Sequence, residues 1–494
     1  MGLKDWLAVS VPFADDPAIR RLRVGAPEWR RLAEDVAASG GRLLALWGQD
    51  ATAGHPAVFA AYQTAAGLWV GELRRDVPEA PDDSYPGLQD LYPFAGRLQR
   101  AIRDLHGLRS SDPDDRPWLR HPAAQAYEFV RVEGDGVHEI PVGPVHAGII
   151  EPGHFRFSVV GEKVLRLEAR LGYTHKGIER RFADFGALDG CRLAARVSGD
   201  SAVAFSWAYC IALEAQWRVA IPRRAQWLRA LALELERIAN HLGDLGALGN
   251  DAGFAFGLAQ FSRLKERVLR ATESTLGQRY PMDWVVPGGV AHELPGAAAT
   301  ALDRCLADVV AESGVLRGIY DEHAGVRDRF AGTGAIAPEL AARLGLAGLA
   351  GRASGQAHDL RIDLRYPPYE ELRPAICGAL SGDVAARVAV RFDELQESCR
   401  LVRRILAGLP SGDSRVAILP PSSDGFGIGA VEGWRGPVLV ALATAAGGRI
   451  RRCHPHDPSW QNWPALEHAV IDNIVPDFPL INKSFNLSYS GHDL

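Results

Sequence analysis

No two of the six cysteines (Cys191, Cys210, Cys305, Cys377, Cys399 and Cys453) lie within four residues of each other. The chain therefore has no Cys-x-x-Cys pair, which excludes a locally built thiolate metal site or iron–sulfur cluster. Cysteines scattered in this way read as small buried hydrophobes. Long apolar runs are also missing: residues 201–213 and 437–445 are the most apolar stretches, and both fall short of the roughly 18–20 residues of a membrane span. There is no long basic run, and the net charge is −5, which removes a general drive toward nucleic acid. The opening residues, MGLKDWLAVSVPFADDP, have no long apolar core, and secretion is not expected. The glycine-rich GFGIGAVEG lacks a following Lys-Ser or Lys-Thr, so it does not read as a phosphate-cradling loop.

What is present is an ordinary globular balance, 47% hydrophobic and 23% charged, over 494 residues, enough for two or more domains. The first part alternates: residues 28–38 suggest a helix, and residues 42–47, 57–62 and 67–73 suggest strands. Residues 76–86, rich in Pro and Asp, read as loop. Residues 155–160 and 163–170 form a plausible hairpin about Gly161-Glu162. Long helices follow. Leu228, Leu231, Leu235, Ile238, Leu242 and Leu245 recur at spacings of three and four, as do Val384, Val388, Leu395, Cys399, Val402 and Leu406. Residues 438–443 and 449–453, about Gly447-Gly448, suggest a second hairpin. The fold class expected is α+β: a small α/β domain over residues 1–125, then a large, mainly helical domain over 126–494 with short β-hairpins. The coarse picture is a helical core with two β-edged ends.

Residues 143–179, GPVHAGIIEPGHFRFSVVGEKVLRLEARLGYTHKGIE, resemble the opening of the family shared by nickel–iron hydrogenase large subunits and the 49-kDa subunit of respiratory complex I. The likeness continues through Leu235-Glu236-Arg237 with His241, Asp251-Ala252-Gly253, Pro287-Gly288-Gly289-Val290, Arg352-Ala353-Ser354-Gly355, Val431-Glu432 with Arg435-Gly436, and residues 475–494. Residues 92–122 resemble the end of the 30-kDa complex I subunit, through Asp104, Leu105, Gly107, Asp115, Arg116 and Pro117. The resemblance implies a fused subunit of the type found in formate hydrogenlyase and other group 4 energy-converting hydrogenases.

The same resemblance places four metal-ligand positions on Ser198, Ser201, Ser488 and Gly491, where the hydrogenases have cysteine. Neutral hydroxyls are hard, weak ligands that do not replace thiolates on nickel and low-spin iron. Hydrogenase activity in this subunit is rejected. The quinone partners of the complex I branch fall on Ile149 and Gly199, neither of which carries a hydrogen-bonding side chain. Glu151 sits where the hydrogenases place a proton-moving glutamate, and a buried carboxylate there would carry protons near neutral pH. His146, Asp200 and His492 are further proton-handling candidates, with His154 and Tyr489 near the same cavity wall. His175 and Lys176 match the segment that approaches a 4Fe–4S cluster in a partner subunit, and Arg352 and Asp359, with Arg361, read as an internal ion-pair network.

The resemblance thus implies an oxidoreductase subunit that takes part in electron transfer, with quinone as one acceptor, coupled to proton or ion translocation. It implies no cofactor on this chain alone, a small iron–sulfur subunit and antiporter-like membrane subunits as partners in a hetero-oligomeric complex, and a peripheral place on the cytoplasmic face of the cell membrane. The alternative is a non-catalytic adaptor linking soluble redox subunits to a membrane module.

Overall fold

The computed structural model describes residues 2–13, 16–50, 55–74, 84–119, 127–147 and 150–494. Ile149, the expected boundary at 125/126 and most of the 76–86 loop lie outside these described residues.

The first part is a five-stranded sheet in the order Val11–Phe13, Asp16–Val24, Gly67–Arg74, Ala57–Thr64, Arg42–Gln49. Asp16–Val24 runs parallel to Gly67–Arg74, and the other pairs are antiparallel. The second strand escapes the sequence pattern because Arg20, Arg21 and Arg23 mask the alternation; Arg21 and Arg23 instead share the buried Glu72 of the neighbouring strand. The helix Ala26–Ala38 buries Trp29, Leu32, Ala33 and Val36 on this sheet. The helix Ala95–His106 ends at Gly107, whose φ of +72° is reached at little cost only by glycine. Asp104 then takes the backbone N–H groups of Trp118 and Leu119 at 2.6 and 2.9 Å, fixing the returning segment.

A three-stranded antiparallel sheet, Val137–Val142, His154–Val160 and Lys163–Arg170, opens the second part. Its edge strand Val137–Val142 is not legible in the sequence, being short and half solvated. The helix Arg223–Asp251 runs through the core and packs on Ala255–Leu276 and Val384–Gly408. The expected apolar face from Leu228 to Leu245 is buried throughout, as are Val384, Val388, Leu395, Cys399 and Val402, with Leu406 at the margin. Asp383 caps its helix by accepting from the Ala386 N–H at 2.8 Å.

The third sheet corrects one expectation. The glycine-rich stretch Gly425–Glu432 is a strand, paired with Pro437–Thr444, which pairs in turn with Ile450–His456. This sheet is not an outer edge, because it lies between the helix Ala202–Gln216 and the N-terminal sheet. A Cβ at Gly427 would stand 2.0 Å from the Ala212 carbonyl oxygen, and one at Gly429 would stand 1.9 Å from that of Ala208. Glycine at these positions lets a helix lie directly on a strand. On the other side Trp47 of the N-terminal sheet stacks on His454, with ring centroids 5.2 Å apart.

Candidate functional site

Three segments line a cavity of about 300 Å³: residues 150–151, the turn at 198–200, and residues 482–490 of the tail, which join the helices Phe478–Phe485 and Tyr489–Asp493, with Arg435 also in the wall. The turn is held from below. Glu236 of the central helix accepts from the N–H groups of Val203 and Ala204, at 2.7 and 3.2 Å, at the start of the helix Ala202–Gln216. Asn240 Nδ2 and Trp434 Nε1 each donate to the Asp200 carbonyl at 2.9 Å. The tail is tied by Asn486, whose side chain donates to Asp244 at 2.6 Å and whose carbonyl accepts from Arg435 Nε at 2.5 Å.

The four positions that the resemblance matches to the hydrogenase cysteines lie at or beside this cavity. Ser198 Oγ and Ser488 Oγ share a hydrogen bond of 2.8 Å. Ser201 Oγ accepts from Arg435 Nη1 at 3.3 Å, and Gly491 N–H donates to Ser488 Oγ at 2.9 Å. A Cβ at Gly491 would stand 2.6 Å from Asp457 Oδ2, so a carboxylate fills the space of the fourth ligand. The side chains do not fit a nickel–iron group: three are hard hydroxyls already engaged with protein partners, and the fourth position is blocked. Among the described residues no three His, Cys, Asp or Glu side chains gather as a metal-ligand set.

The proton-handling candidates separate. Glu151 lines the cavity but is exposed rather than buried, and its Oε2 accepts from the Ser490 N–H at 3.0 Å. Asp200 forms a two-pronged ion pair with Arg435, at 2.6 and 2.5 Å. Burial opposes its charge, but the guanidinium overrides this and holds the carboxyl below its ordinary range, so Asp200 is an anchored anion rather than a proton carrier. His492 is not in the cavity wall. It lies wholly buried behind it, its ring tilted against Trp460 with centroids 4.0 Å apart and Nδ1 2.9 Å from Asp493, and burial lowers its basicity. His146 packs against Phe155 and Tyr489 and does not line the cavity, and His154 Nδ1 lies 3.3 Å from the Gly143 carbonyl. Tyr489 does line it, its hydroxyl pushed up to about 12 by burial. At Gly199 an added Cβ would meet nothing within 4 Å, so this wall is open.

His175 Nδ1 lies 2.8 Å from the Asp493 carbonyl, and Lys176 is exposed, with its backbone N–H bound to Leu494. Arg352 and Asp359 do belong to an internal network. Arg352 bonds Glu394 and Glu432 at 2.7 and 2.8 Å, Arg361 bonds Asp359 and Glu234, and Arg237 and His241 both reach Glu394. All are buried. The network fixes the end of the strand Gly425–Glu432, three residues before Arg435, and so orients the cavity at one remove.

Sequence reasoning missed Lys483 and Asn482, which line the cavity, and Asp457, whose carboxylate crowds Gly491 beside it. Asp457 carried no signal, because its role depends on contact with Gly491 across the fold. The cysteines held one surprise: Cys191 and Cys210, distant in sequence and both buried, bring their sulfurs to 3.6 Å.

Known proteins agree with this architecture. The family described as the 49-kDa subunit of respiratory-chain NADH dehydrogenase matches residues 251–424. Formate hydrogenlyase subunit 5 of Escherichia coli (strain K12) is 30% identical over 485 residues, covering 92% of this chain and 85% of that protein. NADH-quinone oxidoreductase subunit 4 of Thermus thermophilus is 28% identical over 377 residues, covering 71% of this chain and 92% of its own. Among solved structures, a chain of an archaeal respiratory membrane complex, the membrane-bound sulfane sulfur reductase, superposes with a TM-score of 0.68 at 24% identity, covering 73% of this chain and 99% of that one. Relatives of this kind are parts of membrane-bound multi-subunit complexes, while among the described residues here no helix is long and apolar enough to cross a membrane. The chain belongs to the family of the complex I 49-kDa subunit and the nickel–iron hydrogenase large subunit.

Proposed function

We propose that this chain is the peripheral subunit of a membrane-associated oxidoreductase complex, in which electrons reach the cavity from a 4Fe–4S cluster in a small partner subunit and their arrival is coupled to proton or ion movement by antiporter-like membrane subunits. No nickel–iron centre takes part. The observation that carries the reading is the cavity itself: the family's catalytic position is kept, open and polar, while its ligands have become Ser198, Ser201, Ser488 and Gly491. Glu151 is the proton-handling group, because it lines the cavity at its solvent side and is tied to the tail through Ser490. A quinone-type carbonyl acceptor is one ligand class the site accommodates: Lys483 and Asn482 offer donors in place of the missing histidine and tyrosine. Lys176, exposed beside His175, is the cation we assign to the side of the partner cluster, where its charge favours the reduced state. We assign residues before about 126 to a 30-kDa-subunit-like part. Relatives that match some nine-tenths of this chain, and others that match about seven-tenths of it over most of their own length, support that division. The assembly sits on the cytoplasmic face of the membrane.

The test is purification of the tagged subunit from gently solubilised membranes, followed by Glu151→Gln in the recovered complex. Co-purification of a cysteine-rich small subunit and membrane antiporter-like proteins, with loss of proton-coupled electron transfer in the variant and no disassembly, is the expected result. Full retention of every complex activity in Glu151→Gln, or recovery of a membrane module without any iron–sulfur partner, leaves the adaptor role instead.

A further inference from the structure

A second, smaller pocket of about 20 Å³ lies where the first part of the chain meets the second. Arg97, Arg100 and Trp118 line it from the first part, and Arg170 and His492 from the second. Three of these side chains carry a buried donor with no protein partner. Arg100 is nine-tenths buried, its Nε is unbonded, and Asp114 is the one carboxylate it reaches among the described residues, at 3.7 Å. The buried Nε of Arg170 is likewise unbonded, and its guanidinium lies over the Tyr127 ring, 4.5 Å from the centroid. The indole Nε1 of Trp118, a side chain as buried as Arg100, has no acceptor. His492 is not counted among the donors. Its Nδ1 lies 2.9 Å from Asp493 and carries the proton there, so Nε2 of the neutral ring has none to offer.

The charges around this pocket do not cancel. Arg97 is taken by Glu467, which also accepts from the Ala169 N–H, at 2.6 and 2.7 Å. Asp114 is held by Arg116 at 2.8 and 2.9 Å. Glu168 accepts from Arg116, from the Tyr127 hydroxyl at 2.6 Å and from the Val130 N–H at 3.0 Å. The next carboxylate, Asp493, is bonded to His492 and Thr174. The guanidiniums of Arg97, Arg100, Arg116 and Arg170 thus share three carboxylates, Glu467, Asp114 and Glu168, and Arg166, 3.8 Å from Glu168, adds to the excess. Burial, with Arg97 and Arg116 nearby, lowers Arg100 from its ordinary range against the pull of Asp114. A buried cation with unmade hydrogen bonds is costly, and native interiors leave few such donors.

We infer that Arg100, Arg170 and Trp118 form a binding site for a small monovalent anion of chloride size, which joins the two parts of the chain. The side chains set the class of ligand. Guanidinium and indole N–H groups donate and do not accept, so the ligand is an acceptor. One uncancelled positive charge calls for one negative charge, and guanidinium, being weakly hydrated, suits a buried ion pair. Room for little more than a single water excludes sulfate, phosphate and organic acids. Trp118 also packs edge-on against His175 and stacks on Trp460, with ring centroids 5.8 and 5.5 Å apart. An anion bound between Trp118 and Arg170 therefore fastens the first part to the segment and tail of the second. The site is separate from the cavity and does not depend on its redox reading.

The experiment titrates the full-length chain with chloride against gluconate at constant ionic strength and follows the thermal midpoint. A saturable rise is expected, as for a ligand bound by the folded state alone. In Arg170→Gln the half-saturating chloride concentration is expected to rise at least about tenfold, while Arg166→Gln, outside the pocket, keeps the wild-type response. Bromide soaked into crystals of the wild-type chain is expected to give an anomalous peak against Arg100 and Arg170. The wild-type titration and the bromide peak decide the matter even where Arg170→Gln does not fold. Equal midpoints in chloride and gluconate overturn the site. A bromide peak without any chloride dependence, or with a dependence unchanged in Arg170→Gln, means an adventitious ion only and overturns it as well.

Discussion

The hydroxyls of Ser198 and Ser488 meet at 2.8 Å although 290 positions separate them in the chain. At two positions that the resemblance matches to metal ligands, the hydroxyls bond each other, Asp200 and the Gly491 N–H.

Gly491 is crowded by Asp457. Gly491→Cys, the change that restores one family ligand, brings a Cβ to 2.6 Å of Asp457 Oδ2 and is expected to destabilise by about 1–3 kcal/mol. Adding Asp457→Ala should recover much of that loss. A double-mutant cycle on thermal denaturation checks it, and additive effects of the two changes would disprove the contact.

The Arg352 network predicts a larger loss. Arg352→Met removes the cation between Glu394 and Glu432 and leaves both carboxylates buried, for which about 3–5 kcal/mol is expected. The effect is smaller for the ion pair of Asp200 with Arg435 at the cavity. The Asp200 side chain is 36% exposed, so removing its charge should cost about 1 kcal/mol after solvent screening. Urea titration of Arg352→Met and Asp200→Asn, compared at one pH, reads the ranking.

Acid should unfold the protein through its buried histidines. Burial, with His454 and His492 nearby, lowers His456 from 6.5 to about 3. A base depressed in the folded state binds its proton first in the unfolded chain, so stability is full above about pH 6.5 and falls as the pH drops toward 3. The slope for this one residue is about 1.4 kcal/mol per pH unit within that window. Urea midpoints at pH 7, 6 and 5 measure it, and His456→Gln is expected to flatten the dependence.

The glycines of the third sheet make a steric prediction. Gly429→Ala would force a Cβ to 1.9 Å of the Ala208 carbonyl oxygen, backbone that cannot move without lifting a helix. A loss of about 3 kcal/mol or more is expected by thermal denaturation. A neutral result would mean that the helix Ala202–Gln216 does not rest on this strand.

Much of the fold was legible because it follows from local chemistry. The spacing from Leu228 to Leu245 requires one buried helical face, and that face is buried. The strands at 42–49, 57–64 and 67–74 show their apolar runs plainly, whereas Asp16–Val24 hides behind arginines whose partner Glu72 is 49 and 51 residues away. In the site, the hydroxyls and the glycine at 198, 201, 488 and 491 could be read directly, since residue type alone decides whether a thiolate is available. Glu151 could be placed at the cavity but not given its environment, and it proves exposed.

The sequence by itself determined the class of fold and the family, because helical periodicity and the order of motifs are properties of residues in order. Only the tertiary structure decided that Asp200 is neutralised by Arg435, that His492 lies behind the cavity rather than in it, and that Asp457 fills the place of a lost ligand. Charge state, burial and steric exclusion at these positions depend on neighbours brought together from distant segments, and a linear pattern carries no record of them.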